Sequence, residues 1–150
     1  MEQGEIGRLV KEIIEKTHLM SLGTTDESGP WISDVIHVCD EHIHLYWISE
    51  TSTRHSQAIE REPRVAATIT LSHRAKEPNQ GIQISGFAER IDGEHPELAN
   101  KHLIKRGKSP LAEGATFLDE GESWYRLTPT MIELIYEPLL GYEKEKLNLE

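Results

Sequence analysis

The run Ser49-Glu50-Thr51-Ser52-Thr53-Arg54-His55 has the strongest chemical logic in the chain. Hydroxyl side chains crowd the place where an extended segment gives way to a short helical one. A helix start presents unpaired backbone N–H groups and the positive end of the helix dipole. Hydroxyls at Ser49 and Thr53, with the cations Arg54 and His55, would complete a cradle for a phosphate group. The bland alternative is a capped helix with a solvated Arg54, and caps are commoner than ligand sites.

A second cluster is His37, Cys39, His42 and His44, residue types that ligate zinc or copper. Ligands adjacent on a flat sheet need a fourth partner and converging side chains, and neither is evident, so a solvated or interface face is the favoured reading and no metal is expected. No Gly-x-Ser-x-Gly elbow, Gly-rich dinucleotide loop or Walker loop occurs, and Cys39 has no identifiable activating base. Trp31, Trp47 and Trp124 could line a flavin pocket, although in a small barrel large aromatics more often fill the core.

The elements that must hold these groups follow from periodicity. Ile6, Leu9, Val10, Ile13 and Ile14 recur at helical spacing and predict an amphipathic N-terminal helix. His18 to Thr25 reads as a strand, closed by the turn-rich Asp26 to Pro30. Trp31 to Ser49 reads as a hairpin. A two-residue turn at Asp40-Glu41 would set Cys39 opposite His42, Val38 opposite Ile43 and His37 opposite His44. That register gathers Ile36, Val38, Ile43, Leu45 and Trp47 on one face and Val35, His37, Cys39, His42, His44 and Tyr46 on the other. Ser56 to Glu62 reads as a short helix ended by Pro63. Val65 to Leu71 and Ile82 to Ile91 alternate as strands, with Gly86 marking a bend or close approach. A helix spans about Pro96 to Arg106, a loop Lys108 to Gly121, and two strands bent at Pro129 cover Trp124 to Tyr136. The charged tail Glu143 to Glu150 has little to bury. About six strands joined by short turns, with three flanking helices, give an all-β or α+β antiparallel barrel.

With 150 residues and no linker or repeat, the chain is expected to form a single domain, 1–150. A net charge of -10 argues against nucleic acid and against an anionic membrane surface as partners. No apolar run is long enough to span a bilayer, the start lacks a signal-peptide pattern, and the single cysteine cannot form an internal disulfide. A cytoplasmic protein is expected.

Several stretches resemble the FMN-binding split-barrel superfamily that includes pyridoxamine 5′-phosphate oxidase. The family's strand, its Ser-Arg-Lys helix start and the Asn-Pro before the next strand are similar to Ser49 to His55 followed by Glu62-Pro63-Arg64-Val65. Its Gly-x-Ala-Glu-Arg run resembles Gly86-Phe87-Ala88-Glu89-Arg90. Its closing strand pair resembles Arg126-Leu127-Thr128-Pro129 and Ile132-Glu133-Leu134. The match covers about His18 to Tyr136, and Thr53-Arg54-His55-Ser56-Gln57 is more similar still to a group of small, uncharacterised bacterial members.

The resemblance implies a six-stranded split β-barrel working as a homodimer, with FMN in a cleft between subunits. The phosphate would sit on Ser49, Thr53, Arg54 and His55. The isoalloxazine would lie along Ser33, Asp34, Val35 and Ile36, with Gln80 or Trp124 near a rim. The chain departs from the family at His55, where a lysine is usual, and at Ile135, where an aromatic backs the flavin. The oxidase's Arg-x-His-Asp-Arg stretch has no counterpart in Glu137 to Glu150. The implied function is therefore a flavin-dependent oxidoreductase acting on a small molecule other than pyridoxamine 5′-phosphate, with a non-catalytic haem- or flavin-binding protein as the alternative. No catalytic acid or base is named.

Overall fold

The apolar stripe of the N-terminal segment is wholly buried in α1 (Gln3–Lys16), where Ile6, Leu9, Val10, Ile13 and Ile14 face the sheet. Each such burial contributes ~1.5–3 kcal/mol of gross hydrophobic stabilisation, which fixes the helix on the barrel. The computed structural model describes residues 1–149. Its further elements are β1 (Leu19–Asp26), β2 (Gly29–Ile36), β3 (Val38–Cys39), β4 (Leu45–Glu50), α2 (Arg54–Arg61), β5 (Arg64–Thr70), β6 (Gln80–Ile91), α3 (Pro96–Lys105), β7 (Glu122–Tyr136), α4 (Glu137–Leu140) and β8 (Lys144–Leu147).

The strands follow one path, β2-β1-β5-β6-β7-β4-β3, with β8 added against β7, and every pairing is antiparallel. Strand β7 divides the barrel. Its first half pairs with β4, from Glu122↔Glu50 to Leu127↔Leu45, and its second half pairs with β8, from Ile132↔Leu147 to Ile135↔Lys144. The fold is a split β-barrel with flanking helices. Alternation along β4 and β7 serves two cores. Leu45, Trp47, Tyr125 and Leu127 fill the barrel, whereas Tyr46 and Trp124 point out to meet Leu98 and Ala99 of α3.

The described residues form eight strands where the sequence predicts about six, and four helices where it predicts three. One added strand is β8, inside the charged tail, where Leu147 supplies the apolar contact that the composition hides; Glu150 lies outside the described residues. Pro129 does not break β7. It sits opposite Gly86 at the register shift between Ser85 and Gly86, so the missing proline N–H falls on a β-bulge. A Cβ at Gly86 would run into the carbonyl oxygen of Thr128, which explains the glycine as a close backbone approach.

The predicted hairpin register is overturned. Val38 pairs with Tyr46 and Cys39 with Leu45, and Asp40 to His44 form the loop. The cause is the Asp40 side chain. Its Oδ1 accepts from the backbone N–H groups of His42 and His44, each at 2.9 Å, and its Oδ2 meets His44 Nδ1 and the Tyr46 hydroxyl, each at 2.8 Å. Ile43 takes φ 63° to close this wider loop. The predicted faces fail with the register. Residues 29–36 pair with β1 instead, Met20 opposite Val35, and the chain breaks step at His37. Val35 therefore enters the barrel core and His37 is completely buried. The histidines do not share one open face, and the described residues hold no group of three or more His, Cys, Asp or Glu placed to bind a metal.

Candidate functional site

Thr53 caps α2, so the helix begins at Arg54, two residues earlier than predicted. Its backbone is extended (φ -66°, ψ 155°) and its Oγ1 accepts from the Ser56 N–H at 3.3 Å. Helical geometry leaves the N–H groups of Arg54 and His55 without intrahelical acceptors. Around this terminus three polar side chains converge. His55 Nε2 lies 2.8 Å from Ser49 Oγ and 3.4 Å from Thr53 Oγ1. Ser49 comes from the end of β4, on the same strand face as Trp47, so the barrel wall delivers it to the helix start. Burial lowers the pKa of His55, so the imidazole is neutral at pH 7 and the cluster has room for an arriving charge.

Arg54 is engaged elsewhere. Its Nε donates to Asp26 Oδ2 at 2.7 Å and its Nη2 to Asp26 Oδ1 at 3.0 Å, while its guanidinium carbon lies 4.3 Å from the centroid of the Trp31 ring. The ion pair lowers the pKa of Asp26 and raises that of Arg54. This is neither the free phosphate ligand nor the solvated side chain of the two sequence readings. A depression of about 300 Å³ lined by Asp26, Ser28, Arg54, Gln57 and Arg61 opens beside the pair.

The other predicted residues are dispersed. Ser33, Asp34, Val35 and Ile36 lie on β2, an outer strand of the sheet, so part of their backbone polar groups face away from β1. Asp34 Oδ1 accepts from Ser21 Oγ at 2.6 Å. Gln80 begins β6, whereas Ile91, at the far end of that strand, pairs with Trp124 beside the Ser123↔Ser49 pair. Eleven residue steps along β6 separate Gln80 from the cradle end, ~35 Å at the usual rise, so the two mark opposite ends of that strand. Trp124 is fully buried under α3. It stacks on Phe117 at 5.9 Å and donates from Nε1 to the Glu94 carbonyl at 2.9 Å, which makes it core rather than rim. Trp47 is likewise core, and only Trp31 of the three reaches the surface. Burial pushes the Cys39 thiol up to about 12, which removes it as a nucleophile at neutral pH.

Sequence reasoning missed Asp26 and Trp31 as partners of Arg54. The only local signal was an acidic residue and an aromatic flanking one turn; the pairing spans 28 residues of chain.

No protein-family model matches the chain. It is similar to a UPF0306 protein of Photorhabdus laumondii, 25% identical over 107 residues, covering 71% of this chain and 75% of the relative. It is also similar to the UPF0306 protein YhbP of Escherichia fergusonii, 27% identical over 94 residues, covering 62% and 64%. Among solved structures, General Stress Protein 26 from Bacillus anthracis superposes with a TM-score of 0.68 at 19% identity, covering 95% of this chain and 99% of that one. A pyridoxamine 5′-phosphate oxidase-like protein from Listeria innocua gives 0.65 at 15% identity, covering 89% and 97%. HutZ, the haem storage protein from Vibrio cholerae, gives 0.63 at 17% identity, covering 83% and 91%. These likenesses establish the split-barrel fold, which the pyridoxamine 5′-phosphate oxidase-like protein and the haem storage protein share.

Proposed function

We propose that the protein binds FMN by its phosphate at the start of α2 and works as a homodimeric, flavin-dependent oxidoreductase on a small molecule other than pyridoxamine 5′-phosphate. The observation that carries this reading is the convergence of Ser49 Oγ, Thr53 Oγ1 and His55 Nε2 on a helix start whose first N–H groups are free of helical acceptors. Hydroxyls and N–H groups aimed at one point suit a phosphate.

The residues divide the work. Ser49, Thr53 and the first N–H groups of α2 would bind the phosphate oxygens, and His55 would hold a proton at Nε2 or Nδ1 as negative charge arrives. Arg54 would reach the phosphate by exchanging or sharing Asp26. The open side of β2 at Ser33 to Ile36 would orient the ring through backbone groups. When bound, FMN would supply the hydride or electron transfer. Gln80 would stand at the Ile36 end of that ring site, since register sets Gly81 opposite Thr70 and Ile36 opposite Leu19 at the same end of the sheet, away from the cradle.

A second copy also has a surface to cover. Across the outer face of the sheet, register places Ile32, Gly23, Ala66, Ser85 and Met131 in one row, with Phe87 two residues beyond Ser85 on β6. Ile32 is 69% exposed and Phe87 50%. Apolar side chains in a row on an uncovered sheet face are the pattern of an interface.

The haem alternative rests on the likeness to the HutZ fold and on His42, whose side chain is 72% exposed and could reach an iron. An absorbance spectrum of the purified protein, then of the protein after FMN addition and desalting, tests the proposal. Retained flavin bands are the expected outcome. A Soret band without flavin would transfer the assignment to haem, and retention of neither would end both.

A further inference from the structure

On the flank of the barrel, the end of α1, strand β3 and the last turns of α3 enclose a groove of about 760 Å³ that shares no lining residue with the cradle. Although the chain carries a net charge of -10, Lys11, Lys101 and Lys105 all line this groove. Among the described residues none of the three has a carboxylate within 4.0 Å. The acids that also line it are otherwise placed. Asp40 is saturated by its loop, and Glu15 and Glu41 are exposed to solvent.

The hydrogen-bond chain beneath Lys105 has one consistent direction. Thr17 Oγ1 lies 2.8 Å from the Ile13 carbonyl, which can only accept, so the single hydroxyl proton is spent there. His37 Nε2, 3.0 Å from the same oxygen, must then be the protonated nitrogen and donate to it. That leaves His37 Nδ1 as a lone pair facing Lys105 Nζ at 3.4 Å, and Nζ also donates to the Ile14 carbonyl at 3.3 Å. The imidazole is neutral, since burial presses its pKa down to about 3. Every partner of this half-buried ammonium is therefore uncharged and distant. Lys101 Nζ, on the same helix, donates to the Cys39 carbonyl at 2.8 Å. Desolvation pulls Lys105 down to about 8, outweighing the opposing pull of Glu15, which makes no contact ion pair with it. Beside the amines the wall is apolar, formed by Ile14, Val38 and Ile104.

We propose that this groove is a second ligand site, which takes a small carboxylate with an apolar body, its head on Lys105 and Lys101 and its body on Ile14, Val38 and Ile104. A carboxylate would supply at contact distance the charge that Glu15 provides only from beyond 4.0 Å, and would cover Ile104, which is 58% exposed. The site is independent of the cradle, so neither reading depends on the other.

The test is a titration of the full-length protein with benzoate, and separately with inorganic phosphate, followed by two-dimensional amide NMR. Benzoate should shift the amides of Cys39, Lys101 and Lys105 saturably. Lys105→Met should weaken it by about ten-fold or more, while Lys105→Arg stays within a few-fold. Lys101→Met, which removes the groove-lip amine and its hydrogen bond to the Cys39 carbonyl, should weaken it in the same direction, and the spectra themselves report that each variant is folded. Shifts that never saturate, unchanged affinity in both methionine variants, or shifts centred on Ser49 to His55 would overturn the site. Phosphate binding in the groove as tightly as benzoate would overturn the apolar body.

Discussion

The Asp26 carboxylate holds the Arg54 guanidinium side-on, Nε to Oδ2 at 2.7 Å and Nη2 to Oδ1 at 3.0 Å, against the face of Trp31. A carboxylate bound in this two-pronged way occupies the donors that a phosphate would use. Two variants should therefore move FMN affinity in opposite directions. Arg54→Ala should weaken FMN by about ten- to a hundred-fold, the loss of a charge-assisted hydrogen bond. Asp26→Asn should strengthen it, because the guanidinium is released. Fluorescence titration of FMN against the three proteins checks both, and a weaker Asp26→Asn variant would mean that Asp26 positions Arg54 for the phosphate instead of competing with it.

The row from Ile32 to Met131 predicts the oligomer. Light scattering at micromolar concentration should give twice the chain mass of 17.1 kDa. Ile32→Glu, which places a charge on the most exposed apolar side chain of that row, should return the monomer while the far-ultraviolet spectrum is preserved. A wild-type monomer would remove the inter-subunit cleft.

How much was legible varies with the range of the interaction that decided each element. The stripe Ile6 to Ile14 is local, and all five residues are buried as read. Gly86 was legible as a close approach, although the partner, Thr128, was not. The Ser49 to His55 run was read correctly as the end of a strand meeting a helix. The hairpin failed because one side chain, Asp40, gathers four donors and widens the turn, and period-two sorting is blind to such a loop. The partners of Trp124 and Arg54 were not legible for a different reason. Their surroundings, Phe117 and Glu94 for one and Asp26 and Trp31 for the other, are set by how the sheet coils, which no local pattern encodes.

The buried histidines predict a pH dependence of stability. His37 is pressed to about 3 and His102 to about 4, both chiefly by burial, from an ordinary value of 6.5. Below pH 6.5 the unfolded chain binds protons that the folded chain refuses, so stability falls as pH falls. Between pH 6 and 5, before most carboxylates titrate, each such histidine should remove ~1.4 kcal/mol per pH unit. Urea unfolding of wild type and His37→Gln across that window measures the effect. The variant should lose one histidine's share of the slope, and an unchanged slope would show that His37 is protonated in the fold.

The last prediction concerns His55. In the structure it is half-buried against Ser49 Oγ, and burial lowers its pKa, so the unliganded site at pH 7 carries no charge there. A phosphate at the cradle would favour the protonated imidazole and raise that pKa on binding. Binding then takes up a proton, so affinity should be greater at acidic pH and fall as pH rises through the pKa of the complex. The second ionisation of the phosphate, near pH 6, opposes this at the acid end, because the monoanion binds more weakly. His55→Lys separates the two effects, since its ammonium stays charged throughout. From pH 6 to 9 the lysine variant should hold its FMN affinity on the alkaline side while wild type loses some. Parallel profiles would mean that His55 keeps its hydrogen bond to Ser49 when FMN is bound, leaving the hydroxyls, the helix N–H groups and Arg54 to carry the anion.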